Sequence, residues 1–299
     1  MIDFKNRKAD LTTNQIISII ILIVSFAIIL LFFFMLNIKG NIDAESCRNS
    51  VVMRSSLPLG DKVVQLQCKT QEVCISKSGD CKNIGKDAIK IKATNKEELL
   101  DVITDRIYNC HWQMGSGKLN FLPANFRETN YCAICDMIYF DEGIKDDKAL
   151  NKISVKDIFI ALRNKKASEG TNNMLFDMYG MNSLDSFSIG DKTLDKIPPF
   201  DLTYQRGYII ANSMTKQGWI NTLISGGSAA VGTGVILLFF GPPGWVIGAA
   251  VITAGAAAGA ASYAVTGPGD TVYLPPLLYP NNAEIVEKQL KCRDFTTLA

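Results

Sequence analysis

The feature that most constrains this chain is a run of 47 residues, Trp219 to Val265, without one charged side chain. Gly and Ala crowd it, and Gly241-Pro242-Pro243-Gly244 cuts it near the middle. The first leg, Trp219 to Phe240, has 22 residues and the second, Trp245 to Val265, has 21. As helices rising ~1.5 Å per residue, either leg would cross a hydrocarbon core of roughly 30 Å. Trp219 and Tyr263 stand at the outer ends, and Phe239, Phe240 and Trp245 flank the tip, where membrane interfaces favour aromatic rings. The expectation is a helical hairpin over 219–265 that turns at Gly241, Pro242, Pro243 and Gly244. Its legs would pack closely through Gly227, Gly232, Gly234, Gly248, Gly255 and Gly259. Ser225–Gly234 and Ala254–Ser262 are almost all small, so each leg needs a partner helix. A membrane-inserting loop and a buried oligomer core are the alternatives for this stretch.

A second uncharged block, Ile16 to Leu36, has 21 residues. Lys5, Arg7 and Lys8 precede it while only Lys39 follows closely, so the positive-inside bias puts residues 1–15 in the cytoplasm. The block stays bulky through Phe32-Phe33-Phe34-Met35-Leu36, unlike a cleavable signal peptide, which ends in small residues. An uncleaved transmembrane helix over 16–36 is therefore expected. The competing reading is pilin-like: Arg7-Lys8-Ala9-Asp10-Leu11 resembles an archaeal class III signal peptide, cleaved after Ala9.

Eight cysteines follow: Cys47, Cys68, Cys74, Cys81, Cys110, Cys132, Cys135 and Cys292. None lies in either uncharged block. An even set confined to one side of the predicted anchor reads as disulfides in an oxidising compartment, with the pairing left open. The net charge of +2, from 31 basic and 29 acidic residues, gives no footprint for nucleic acid.

Between the blocks the periodicity is mixed. Residues 37–46 read as a polar stalk. Val63–Cys68 and Ala88–Lys92 alternate as short strands. Asn95 can cap a helix with Glu97 and Glu98 in its first turn and with Leu99, Val102, Ile103, Arg106, Ile107 and Cys110 on one face. Gly115-Ser116-Gly117 ends it. Tyr131–Phe140 reads as a buried strand, 141–152 as a charged loop, and Ser154–Asp157 as a capping box before a short helix. Residues 168–199 read as loops with one helical turn near Met174–Tyr179. Tyr204–Ala211 reads as a last strand before the hairpin. Beyond it, Thr271–Leu274 reads as an edge strand stopped by Pro275-Pro276, and Asn282 as a cap for a helix to Leu290.

No catalytic constellation stands out. Cys132-x-x-Cys135 has the spacing of a redox pair, but Tyr131, Ile134, Met137 and Ile138 put it on a strand rather than at a helix N-terminus that would stabilise a thiolate. A zinc site borrowing Cys110 or His111 lacks a second CxxC, so no metal is expected. His111, the one histidine, sits in the last turn of a helix beside Trp112, where packing is the simpler role. Asp141, Glu142, Asp146 and Asp147 lack the rhythm of a calcium loop. Gly115–Lys118 lacks the spacing of a phosphate loop. No cofactor is expected.

Cys110–Asp141, with its cysteine-aromatic helix end, its Gly115-Ser116-Gly117-Lys118-Leu119 turn and its Tyr131-Cys132-Ala133-Ile134-Cys135 strand, resembles archaeal membrane-anchored surface proteins with a Cys-rich ectodomain. The resemblance implies a surface location and no activity. Together these readings predict a membrane-anchored α+β protein. It comprises a tail (1–15), a transmembrane helix (16–36), a stalk (37–46), a disulfide-rich mixed ectodomain (47–215), the hairpin (219–265) and an extracytoplasmic tail (267–299). The predicted location is the cell membrane, with most of the chain outside. The predicted function is non-enzymatic: presenting the ectodomain and assembling through the hairpin, with the lipid bilayer, further copies or other membrane proteins as partners. A surface hydrolase or thiol oxidoreductase is the first alternative, and a pilin-like or membrane-inserting protein the second.

Overall fold

The computed structural model describes residues 13–35, 39–57, 60–82, 84–85, 87–122, 130–168, 172–179, 199–204, 206–216, 235–241, 245–252, 271–282 and 292–296, the strands within 235–252 and 292–296 by backbone alone. The chain divides into two units, Met1–Ile42 and Asp43–Ala299. The first holds helix α1 (Thr13–Met35). Along it Ile17, Ile21, Leu22 and Phe26 are each half exposed or more.

The second unit is a mixed α/β fold on a six-stranded sheet. In chain order come α2 (Lys39–Ser56), which starts in the last residues of the first unit, then α3 (Gly60–Val63), β1 (Gln71–Ser76), β2 (Ile89–Lys92), α4 (Lys96–Gln113) and β3 (Asn130–Phe140). They are followed by α5 (Glu142–Lys145), β4 (Lys152–Ile153), α6 (Val155–Asn164), α7 (Met174–Tyr179), β5 (Phe200–Asp201) and β6 (Tyr208–Lys216). The last elements are β7 (Val235–Gly241), β8 (Trp245–Ile252), β9 (Thr271–Pro280) and β10 (Cys292–Thr296). The sheet order is β2-β1-β3-β6-β9, with β10 also on β3. The β1–β2, β1–β3 and β10–β3 pairs are parallel, and β3–β6 and β6–β9 antiparallel.

Strand β3 is the axis of the sheet. Its near-continuous apolar run suits a strand covered on both faces, and Tyr131, Cys132, Ala133, Cys135, Ile138 and Phe140 are all buried. One edge is shared end to end. β1 takes Asp136–Phe140 and β10 takes Asn130–Ala133, and the Thr70 hydroxyl donates to the Ile134 carbonyl (2.8 Å) between them.

Helix α4 carries the chain across from β2 to β3, as a parallel connection requires. It starts at Asn95, whose side chain accepts from the Glu98 N–H (2.9 Å), while Glu98 accepts from the Thr94 N–H (2.7 Å). Leu99, Ile103, Ile107 and Cys110 recur at helical spacing and are fully buried. Ser154 and Asp157 form the expected capping box on α6. In the turn after α4, Gly115, Ser116 and Gly117 have φ of +79°, +55° and +66°. A Cβ on Gly115 would meet Leu119 at 2.7 Å.

Several expectations are corrected. Among the described residues no helix is long and apolar enough to cross a membrane. The membrane-anchored architecture and the cell-membrane location built on Ile16–Leu36 are therefore overturned, and the fold is mixed α/β. The helical hairpin is overturned too, since its described core is an antiparallel β-hairpin, β7 with β8, from Val235↔Ile252 to Gly241↔Trp245. Val235, Ile236, Phe239, Phe240, Val246, Ile247, Val251 and Ile252 are β-branched or aromatic and favour strand. Glycine inside a helix would cost ~1 kcal/mol each relative to alanine. Of the proposed packing glycines, Gly248 lies in β8 opposite Phe239, and the other five are outside the described residues. Gly241 closes β7, while Pro242, Pro243 and Gly244 are also outside them.

Smaller differences follow the same logic. From Lys39 onward the predicted stalk is helical, because α2 runs on to bury Ala44, Cys47 and Val51 on one face. Val63–Cys68 is not a strand. β6 begins at Tyr208, after a turn at Gly207. β9 runs through Pro275 and Pro276 instead of stopping there. They fall where the register with β6 shifts, on an edge where proline's missing N–H costs nothing. The site after Ala9 and the body of the helix that Asn282 was expected to cap, 283–290, fall on residues outside those described.

Candidate functional site

The cysteines carry the fold's main chemistry. Cys47–Cys68 joins α2 to the segment leading into β1, Cys74–Cys81 ties β1 to the loop after it, and Cys110–Cys135 clamps the end of α4 to β3. Cys132 is disulfide-bonded as well, and no described cysteine is free. Cys292 opens β10, whose backbone pairs there with Asn130, two residues before Cys132. The redox reading of Cys132-x-x-Cys135 fails at this point. Residues three apart on a strand face opposite ways, and Cys135 bonds to Cys110 rather than to Cys132. The same bond removes Cys110 as a zinc ligand, and among the described residues no group of three or more His, Cys, Asp and Glu side chains could hold a metal ion.

Next to the Cys110–Cys135 bond lies a buried ion pair. Arg106, on the otherwise apolar face of α4, reaches Asp136, the lone charge within β3, and the Arg106 Nε–Asp136 Oδ2 distance is 3.1 Å. A second bond joins Arg106 Nη2 to Asp136 Oδ1, and the same nitrogen donates to Gln71 Oε1 (2.5 Å) on β1. Asp136 is 1% exposed. Burial pushes its carboxyl above the usual range, and the Arg106 guanidinium pulls it back only in part. One fork thus binds α4, β3 and β1.

His111 is fully buried one turn further along α4. Its Nδ1 is 3.2 Å from the Tyr273 hydroxyl on β9. Its Nε2 is 3.8 Å from Asp177 Oδ2 on α7, too far for a hydrogen bond, and finds no hydrogen-bond partner among the described residues. Asp177 instead accepts from the Tyr108 hydroxyl (2.8 Å), with Lys118 Nζ 3.9 Å from its other oxygen. Burial, then the charges of Lys118 and Arg48, lower the His111 pKa from 6.5 to about 3. The ring is a neutral imidazole packed between Tyr108 and Tyr273, with centroids 5.9 and 5.6 Å away. A general base must come within hydrogen-bond reach of a substrate proton, and a fully buried ring does not.

The acidic loop is also committed to structure. Asp141 caps α5 by accepting from the Ile144 N–H, and Asp147 pairs with Lys77 and accepts from the Ala149 N–H. Sequence reasoning missed Tyr108, Asp177 and Tyr273 around His111, and the pairing of Arg106 with Asp136. The signal for that pair was present: one base on an apolar helix face and one acid inside an apolar strand. No protein-family model, curated protein or solved structure matches the chain.

Proposed function

We propose that the chain is a non-enzymatic structural protein of an oxidising, extracytoplasmic compartment. Its disulfide-stapled α/β unit is a rigid body presented to the surroundings, and it assembles with other copies through the uncharged β7–β8 hairpin. The observation that carries this reading is the placement of the staples. Cys47–Cys68 and Cys110–Cys135 tie α2 and α4 to the sheet or its approach, Cys74–Cys81 ties β1 to the loop after it, and bonds of this kind persist where the environment is oxidising. The engagement of His111, Arg106, Asp136 and Asp147 in internal packing and pairing supports it further.

Alkylation of the native full chain without reductant, followed by mass measurement, tests the proposal. The expected result is no adduct before reduction and labelling after reduction and unfolding. Labelling of Cys132 or Cys135 in the native protein would point to a reactive thiol and overturn the scaffold reading.

A further inference from the structure

Cys132 is disulfide-bonded, yet it takes no part in Cys47–Cys68, Cys74–Cys81 or Cys110–Cys135. Those three bonds use six of the eight cysteines in the chain, and the one they leave besides Cys132 is Cys292. A bond to a small thiol or to a second copy would need access to the Cys132 sulfur, and Cys132 is only 1% exposed. The strand register points the same way. β10 runs parallel to β3, and Cys292 opens it opposite Asn130. Residues two apart on a strand share a face, so Asn130, Cys132 and the β10 position opposite Asn130 belong to one face of the sheet.

We infer that Cys132 and Cys292 form a fourth disulfide, which latches the C-terminal strand β10 onto the central strand of the sheet. It goes beyond the proposed scaffold, which stands on the three bonds already described. The latch accounts for the Cys132-x-x-Cys135 spacing. Residues three apart on a strand face opposite ways, so Cys135 reaches α4 on one face while Cys132 serves the other. The pair is two anchors set back to back on one strand. β10 gains most from such an anchor. It has five residues, its ladder to β3 is parallel, and the register shifts between Cys292 and Asp294. Parallel pairing is slightly weaker per residue than antiparallel, and a slip of one residue would turn every side chain of the strand to the other face. A covalent bond at the first residue of the strand removes that freedom. The bond forms by exchange with a small-molecule disulfide. The two cysteine thiols pass two protons and two electrons to it, and its own S–S bond breaks to release two thiols.

Alkylation of the unreduced full chain in denaturant, followed by tryptic digestion and mass spectrometry, tests the latch. Cleavage after Lys and Arg leaves Cys110 in peptide 107–118, Cys132 and Cys135 together in 128–145, and Cys292 in 292–293. The expected product is one cluster of these three peptides, with no alkylated cysteine in any of them. The Cys292→Ser chain should keep 107–118 joined to 128–145 and gain a single alkyl group, on Cys132. Recovery of 292–293 alkylated, joined to itself, or joined to a peptide other than 128–145 overturns the inference. So does a Cys292→Ser chain that gains no alkyl group on Cys132. The parent digest involves no substitution, so it decides the matter even where the variant folds poorly. If 107–118 stays joined to 128–145 while 292–293 is free, the fourth bond falls and the scaffold keeps its other staples.

Discussion

The main sheet and the β7–β8 hairpin are both built from apolar strands, yet they are held by opposite means. The sheet is fixed by three disulfides and by the Arg106 fork across α4, β3 and β1. The hairpin has none of these: it holds no cysteine and no charge, and its register rests on pairing between two neighbouring strands. The difference teaches where specificity comes from in this chain. A strand with a staple or a buried ion pair is tied to a particular neighbour, whereas the hairpin strands carry no such tie among the described residues. The comparison predicts that substitutions in the sheet lower stability and leave association alone, while substitutions in the hairpin do the reverse.

The largest effect should come from Arg106→Leu. It leaves the Asp136 carboxylate buried without its partner, a change that costs about 3–5 kcal/mol. Urea denaturation near neutral pH should show the loss, and it should shrink on acidification, because the Asp136 carboxyl already lies above its usual range and becomes neutral. Replacing Cys110 and Cys135 together by alanine should cost about 2–4 kcal/mol in the same assay, with association unchanged. Gly207→Ala comes next. Its φ is +73°, and a Cβ there would meet the Ile138 carbonyl oxygen at 2.5 Å, so a loss of about 1–3 kcal/mol is expected. A loss of association in any of these three variants would break the comparison.

The smallest effect is a pH slope. Well above pH 6.5 His111 is neutral in both folded and unfolded chains and contributes no pH dependence. Below 6.5 the unfolded chain takes up a proton that the folded chain refuses until about pH 3. Stability should therefore fall with acidification by at most ~1.4 kcal/mol per pH unit from this group. His111→Gln should remove that part of the slope. Because this is the only histidine, its ring resonance can be followed directly by NMR and should still report a neutral imidazole at pH 5.

What was legible in the sequence was local. The Asn95 cap, the capping box at Ser154–Asp157 and the buried strand ending at Phe140 follow from side chains a few residues apart, and the structure has all three. The cysteine set was legible as disulfides, but the pairing was not, since Cys110 and Cys135 meet only because α4 crosses back over β3. The hairpin was misread because length and lack of charge were weighed above β-branching. Val235, Ile236 and Val251 suit an extended backbone, and hydropathy alone does not separate an apolar strand pair from an apolar helix pair. The surroundings of His111 were out of reach, because Asp177 and Tyr273 come from elements 66 and 162 residues away in the chain.

Peptide mapping of the unreduced full chain by mass spectrometry tests most directly the claim that the sheet is defined by its staples. The account predicts linked peptides joining Cys47 to Cys68, Cys74 to Cys81 and Cys110 to Cys135, in a single connectivity. A peptide in which Cys132 is joined to Cys135, or a mixture of pairings, would contradict it.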